Sequence, residues 1–158
     1  GLGFPGMTIV QFGFGTDASD EFLPHNWPRH CVAYTGTHDN DTVRGWWDKA
    51  TERERHYAGS YLATGAQDIH WAMIRACCNS VANIAVCQLQ DALGLDGNHR
   101  MNTPGTMGAH NWSWRFTWDM VGSEPARVLG LIAAASGRGP LELLRRDATK
   151  ALQQAQAA

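Results

Sequence analysis

The sequence predicts an α/β fold in which parallel strands alternate with helical segments, the pattern found in a TIM barrel. Three observations carry this. Short apolar runs rich in strand-formers are separated by stretches of helical periodicity, the order that builds a parallel sheet. The second run, Cys31 Val32 Ala33 Tyr34, leads into the polar pentapeptide Thr37 His38 Asp39 Asn40 Asp41. In a barrel, polar residues at the carboxyl end of a strand face the substrate site. Third, 158 residues suffice for a core but fall short of the about 250 that a whole eight-stranded barrel needs. The sequence opens at Gly1 and soon enters an apolar run, so residues 1–158 are expected to be a piece of something larger, without a complete second domain.

Taken in order, Phe4 Pro5 Gly6 reads as a turn. Residues 7–14 read as the first strand, with Ile9, Val10 and Phe12 as strand-formers and Gly13 and Gly15 marking its end. Residues 16–30 are polar and turn-like, with Pro24 and Pro28 blocking a helix. So long a connection is often functional. The second strand covers 31–35, and a short helix over 42–49 comes next, with Asp41 and Thr42 placed to cap it ahead of Val43, Trp46 and Trp47. Thr51 and Glu54 have capping-box spacing, which predicts a helix from Glu52 to about Ala63, ending before Gly65. Asp68 is placed to cap another helix, whose Ile69, Ala72, Met73, Ala76 and Cys77 keep helical spacing. The third strand is predicted over 81–89, from Ile84, Val86 and Leu89. Gly94, Gly97, Pro104, Gly105 and Gly108 make a loop of the segment after Asp91, and the last third reads as helices over 124–136 and from Pro140 to about Leu152. Residues 153–158 are expected to fray.

Composition excludes several classes. The net charge is −2, from 13 basic and 15 acidic residues, and the basic ones are dispersed apart from Arg145 and Arg146. That is no footprint for nucleic acid. No run approaches the about 18 apolar residues of a membrane span, and no basic-then-apolar signal region opens the sequence, so no membrane association and a cytoplasmic location are expected. Cys31, Cys77, Cys78 and Cys87 lack CxxC spacing and stand in or beside apolar runs, as reduced core thiols do. The outlier is tryptophan: Trp27, Trp46, Trp47, Trp71, Trp112, Trp114 and Trp118. All are candidates for the core, yet several stand among His, Asn and Gly in loops, where a flat apolar face beside hydrogen-bonding groups suits a sugar ring.

Three rims gather the polar residues: His25 and Asn26 after the first strand, His38 and Asp39 after the second, and Asp91, Arg100, Met101 and Asn102 after the third. Loops at one end of parallel strands converge in space. Asp39 has three open readings, as a base, a metal ligand, or an anchor for hydroxyls and developing positive charge. His38 can donate one hydrogen bond while accepting another. Taken singly, His25 reads as a satisfied loop histidine and Asn102 as a stabiliser of the turn before Pro104. The seven histidines show no HExxH or similar cluster for a metal, and no serine sits in a GxSxG elbow. Carboxylates, neutral hydrogen-bonding groups and aromatic platforms around the same loops are the parts of a sugar site. The rival readings are a non-catalytic sugar-binding module and a metal-dependent phosphohydrolase using His38 and Asp39.

The stretches FPGMTIVQFGFG (4–15), FLPHNWP (22–28), YTGTHDNDTVRGWW (34–47), LQDALGL (89–95), RMNTPGT (100–106) and NWSWR (111–115) closely resemble the amylomaltases, the 4-alpha-glucanotransferases of glycoside hydrolase family 77, in order and spacing. The resemblance implies the C-terminal part of a (β/α)8 barrel, strands six to eight with closing helices. It implies transfer of α-1,4-glucan segments between maltooligosaccharides, with glucose as an acceptor and with no metal or organic cofactor. In that family an aspartate after strand four is the nucleophile and a glutamate after strand five the acid and base, and neither falls within this sequence, so the piece alone is expected to be inactive. Asp39 matches the third family carboxylate, which holds sugar hydroxyls at the reacting subsite, and His38 its hydrogen-bonding partner. Phe12 matches an aromatic near the acceptor side, Asn102 lies on a glucan-binding loop, and His25 and Asn26 become rim residues. Trp27 departs from the family only in replacing a frequent tyrosine by another aromatic.

Overall fold

Three short strands, β1 (Gly6–Ile9), β2 (Cys31–Tyr34) and β3 (Ile84–Val86), form one parallel sheet in the order β1-β2-β3. They belong to a computed structural model that describes residues 3–156 and divides into two units, Gly1–Phe116 and Thr117–Ala158. Register sets Met7 beside Val32 beside Ile84, and Ile9 beside Tyr34 beside Val86. Side chains alternate faces along a strand, so these six share one face while Thr8, Cys31, Ala33 and Ala85 share the other. Helices cover the second face, where Thr8, Cys31 and Ala33 are buried. The first stays open at Met7 (61% exposed), Ile84 (50%) and Val86 (40%).

Three helices return the chain from β2 to β3: α1 (Val43–Lys49), α2 (Glu52–Leu62) and α3 (Ile69–Asn79). Thr42 caps α1, its hydroxyl accepting from the Gly45 N–H at 3.0 Å. At α2 the Thr51 hydroxyl accepts from the Glu54 N–H at 3.2 Å, and the Glu54 carboxylate accepts from the Thr51 N–H at 2.7 Å. This reciprocal box satisfies two N–H groups that the helix start would leave unpaired, a gain of about 0.5–2 kcal/mol. Helical spacing drives Ile69, Met73 and Cys77 of α3 into the core formed with Val10, Phe14, Leu23, Trp27, Val43 and Ala58. Phe14 sits among aromatics, its ring 5.6 Å from Trp46 and 6.0 Å from both Tyr57 and Tyr61. Leu23 and Met73 are completely enclosed, so truncating either to alanine costs about 2–5 kcal/mol.

Several elements depart from the sequence expectation. The first strand stops at Ile9, not at residue 14, and the chain turns into a 3-10 helix over Val10–Phe14. There Val10 and Phe14 are buried in the core beneath the helices, so apolar character served packing instead of a sheet ladder. The crossover from β1 to β2 holds no α-helix, only that turn and a second 3-10 turn at Pro24–Asn26. The third strand shrinks from 81–89 to Ile84–Val86, and Leu89 opens the short helix α4 (Leu89–Ala92). Asp68 takes the N-cap place of α3, yet its side chain makes no capping hydrogen bond. Past the loops come α5 (Trp118–Val121), absent from the expectation, α6 (Glu124–Ala135) and α7 (Glu142–Gln156). α7 stays helical through Gln156 instead of fraying from residue 153, and positions 157 and 158 lie outside the described residues.

In the second unit α6 and α7 pack together. Arg127 joins them, donating to Asp147 at 2.8 Å and to Glu124 of its own helix at 2.7 and 2.8 Å. Among the described residues no cysteine forms a disulfide; Cys31 and Cys77 are buried and Cys78 and Cys87 half-buried. Burial, and secondarily the Asp91 charge, pushes the Cys87 thiol up to about 11. Among the described residues no helix is long and apolar enough to cross a membrane.

α3 also buries His70, only 6% exposed, and its Nδ1 has no hydrogen-bond partner. Gly94 closes over it with φ +64°, and a Cβ there would stand 3.1 Å from His70 Nε2 and 3.3 Å from Arg44 Nε. Burial first, and the Arg44 charge next, push His70 from 6.5 down to about 4. The unfolded ring therefore binds a proton at a higher pH than the folded one. Stability from the neutral ring is present above pH 6.5 and is lost as pH falls toward 4. Protection of α3 amides against hydrogen exchange, corrected for intrinsic rates, should decline across that window and stay flat in a His70→Gln variant. Equal declines in both would assign the loss to other groups.

The open face leads to a second expectation. The outer edges of β1 and β3 lack a strand partner among the described residues, and unpaired edges beside exposed apolar side chains template association. Residues 1–158 produced alone should form oligomers or aggregates and bind a hydrophobic dye. Light scattering from a monodisperse monomer with a sharp cooperative melt would contradict this.

Candidate functional site

The chain leaves β2 through Thr35 and Gly36 and makes a tight turn. Asn40 Oδ1 accepts from the Thr37 N–H and hydroxyl, both at 2.9 Å, while the Asn40 N–H donates back to the Thr37 carbonyl at 3.0 Å. That reciprocal pairing puts His38 and Asp39 at the tip, with side chains 54% and 49% exposed. Asp41 turns the other way. Its carboxylate pairs with Lys49 and lies 3.7 Å from the Arg100 guanidinium, while its carbonyl accepts from Gln11 Nε2 at 3.0 Å. The fit is tight enough that a Cβ on Gly45 would stand 2.6 Å from Gly97 Cα, and closer still to Asp41 Oδ1.

The segment after β3 closes onto this tip. Asn102 Nδ2 donates to Asp39 Oδ1 at 2.7 Å, and the Asn102 N–H donates to the His38 carbonyl at 3.1 Å. Arg100 donates from Nη2 to the Asp39 carbonyl and from Nε to the Asn102 carbonyl, both at 2.8 Å. His38 Nε2 lies 3.4 Å from the same Asp39 Oδ1. Trp112 packs on the His38 ring with centroids 4.9 Å apart, its backbone N–H donating to the Met101 carbonyl at 2.7 Å. A cavity of about 420 Å³ opens beside His38 and Asp39, lined also by Met7, Tyr34, Val86 and Gln88. The site thus adjoins the uncovered face of the sheet.

Beneath the tip lies Asp91 of α4, 1% exposed. Its carboxylate accepts from the Thr35 hydroxyl at 2.6 Å and from the Val43 N–H at 2.7 Å. Burial pushes it up to about 6, against the pull of both donors.

Of the six residues expected at a site, the structure gathers His38, Asp39 and Asn102. Phe12 is half-exposed on the turn after β1 and meets Phe22 edge-to-face at 5.3 Å. His25 and Asn26 stay within the connecting segment. His25 Nε2 lies 2.8 Å from the Ala18 carbonyl and Nδ1 lies 2.8 Å from the Tyr61 hydroxyl. A carbonyl only accepts, so Nε2 carries the proton and Nδ1 accepts from Tyr61. Asn26 donates to the Ala18 and Asp20 carbonyls at 2.9 and 2.8 Å. These bonds fasten the segment to itself and to α2, and none runs to His38, Asp39 or Asn102. Sequence reasoning did not name Trp112 or Gln88 as site residues. Trp112 was marked only as one of several loop tryptophans suited to a sugar ring and as part of the NWSWR stretch, and Gln88 carried no signal.

Chemically, Asp39 Oδ1 is engaged by a neutral amide, and Oδ2 has no hydrogen-bond partner among the described residues. A half-exposed carboxylate with one oxygen available, beside an imidazole and an indole face, suits hydroxyl groups. Covalent glycoside chemistry with retention needs a pair of carboxyl groups about 5–5.5 Å apart. The neighbouring Asp41 does not supply the second, being held by Lys49 and Arg100. Among the described residues, no three His, Cys, Asp or Glu side chains are grouped to hold a metal ion.

Comparison with known proteins bears on the family. The profile of glycoside hydrolase family 77, described as 4-alpha-glucanotransferase, matches residues 1–120. The chain is 44% identical over 138 residues to the 4-alpha-glucanotransferase of Clostridium butyricum, a match covering 86% of this chain and 28% of that protein. It is 40% identical over 145 residues to that of Thermus thermophilus, covering 87% and 29% respectively. Among solved structures, the amylomaltase from Streptococcus agalactiae in complex with acarbose superposes with a TM-score of 0.83 at 33% identity, over 87% of this chain and 28% of that one. The chain spans little more than a quarter of the length of these relatives. Its parallel strands and flanking helices are therefore part of a larger fold of that kind, and by profile, identity and architecture together the chain belongs to the 4-alpha-glucanotransferases of glycoside hydrolase family 77.

Proposed function

We propose that this chain is the C-terminal portion of a 4-alpha-glucanotransferase barrel, contributing strands six to eight, the closing helices and one wall of the active site. The whole enzyme transfers α-1,4-glucan segments between maltooligosaccharides, with glucose among the acceptors, in the cytoplasm and without a metal or organic cofactor. One observation carries this reading: Asp39 at the carboxyl end of β2, oriented through Oδ1 by Asn102 and presented to a cavity beside His38 and Trp112. The nucleophile and the acid/base belong to strands outside this chain.

In this mechanism Asp39 makes no bond to carbon. As the glycosidic bond breaks, the sugar ring flattens and positive charge grows at its anomeric carbon. An anion already fixed in place stabilises that charge without reorganising. Oδ2 accepts sugar hydroxyls, and those hydrogen bonds strengthen as the ring distorts, which is how binding energy acts on the transition state more than on the ground state. His38 adds a hydrogen-bonding group at the same subsite, and Trp112 keeps its imidazole from turning away. Transfer then requires a sugar hydroxyl to displace the enzyme ester ahead of water. Phe12, exposed past the end of β1, supplies an apolar surface on the acceptor side.

In the full-length enzyme, Asp39→Asn should lower kcat on maltotriose by about 10²–10³-fold or more while changing glucan affinity little. His38→Ala should lose less, about tenfold, since it only orients groups. Near-normal turnover of Asp39→Asn in a steady-state assay would remove Asp39 from the mechanism.

Phe12 and Asn102 should separate. Phe12→Ala weakens acceptor binding and raises the share of hydrolysis over transfer, read as free glucose against lengthened chains. Asn102→Ala frees the Asp39 carboxylate, so it should lower both products together in addition to any shift in their ratio. If both variants lose rate uniformly with an unchanged ratio, Phe12 serves packing against Phe22 and not the acceptor.

A further inference from the structure

Asp91 has no exposed surface with which to meet a glucan, yet its carboxylate is bonded to both roots of the loop that carries Asp39. Oδ2 accepts from the hydroxyl of Thr35, where β2 ends, and Oδ1 accepts from the N–H of Val43, where α1 begins. Asp39 lies four residues from each of these anchors, at the middle of the span. Thr35, Val43 and Asp91 are all buried, so water does not compete for these bonds. The preceding residue acts on the other half of the site: Gln90, also buried, donates from Nε2 to the His99 carbonyl at 3.2 Å. His99 leads directly into Arg100 and Asn102, which bond to Asp39. One turn of α4 thus grips both segments whose meeting builds the site.

We infer that Asp91 is a positioning residue for the transfer reaction, clamping Thr35 to Val43 so that the loop between them holds Asp39 and His38 at a fixed height and angle to the cavity. This rests on the reading of Asp39 given above. The clamp is a matter of geometry. Two acceptor oxygens on one short side chain fix two donors relative to each other, and the loop's own turn at Thr37 and Asn40 passes that placement to its tip. Displacing a reacting group by about 1 Å costs about 10²-fold in rate, so a remote clamp of this kind appears in turnover before it appears in affinity.

The test uses the full-length enzyme carrying Asp91→Ala, Asp91→Asn, Thr35→Val or, as a control, Asp39→Asn, with kcat and KM on maltotriose measured per folded molecule and a melting curve for each. Asp91→Ala should lower kcat by about tenfold or more with KM within about threefold. Asp91→Asn should recover kcat to within about threefold of the parent, because its amide oxygen still accepts from Val43 and its amide nitrogen donates to Thr35 Oγ1. Thr35→Val breaks one of the two bonds and should show a smaller loss in the same direction, which keeps the test decisive if Asp91→Ala does not fold. A lowered melting temperature with parental kcat in the folded alanine or valine variants would overturn the inference and leave Asp91 as a strut. An asparagine variant as slow as alanine would also overturn it, since charge and not the clamp would then matter. Near-normal turnover in Asp39→Asn would instead bring down the underlying reading of Asp39. An inactive control beside a fully active Asp91→Ala would bring down the clamp alone.

Discussion

The structure depends on the pairing of β2 along both of its edges. It is four residues long, and its ladders to β1 and β3 fix the heights at which all three strands end. In a parallel sheet those ends share one side, so every segment leaving a strand here leaves toward the same region. The long return of α1, α2 and α3 then covers one face of the sheet. The opposite face, with Met7, Ile84 and Val86, continues into the cavity beside Asp39. Neither the site nor the open face would exist with a different register, because a one-residue slip exchanges the two faces.

Within the loop that leaves β2, one pentapeptide assigns its two aspartates opposite tasks. Asp41 is compensated by Lys49 and Arg100 and sits almost out of solvent against Gly45 and Gly97. Its charge is used up in holding α1 and the segment after β3 together. Among the described residues the Asp39 side chain meets only a neutral amide and a histidine, so no cation pairs with its charge there. Arg100 separates the two roles: its guanidinium faces the Asp41 carboxylate, but at Asp39 it reaches only the backbone carbonyl. The cation thereby supports the loop without neutralising the group at its tip.

Much of this was legible in the residues. Capping at Thr42 and the Thr51–Glu54 box came from spacing alone, as did the buried stripe of α3, because these are local rules of hydrogen bonding and periodicity. Strand limits were not legible. Val10, Phe12 and Leu89 read as strand residues, yet they stand in a 3-10 turn and a short helix, where Val10 packs into the core and Phe12 stays half-exposed. For the site, Asp39 and His38 stood out because a cap at Thr42 does not require them, and Asn102 because strand-end loops converge. His25 and Asn26 have the same polar character, but their partners are the carbonyls of their own segment and Tyr61, which sequence spacing does not reveal. The contact of Trp112 with His38 and the place of Gln88 at the cavity were not legible for the converse reason, since these relations exist only after the chain has closed.

The backbone of Trp112 has φ +61°, the left-handed region that a bulky side chain enters only under constraint. Glycine would occupy that conformation freely and would remove about 1–2 kcal/mol of strain, but it would also remove the ring that lies on His38. Backbone strain and the packing of the ring on His38 therefore pull in opposite directions at this position. A library screened only for heat resistance would enrich glycine or asparagine at residue 112, and the survivors would be folded proteins with a loosened imidazole.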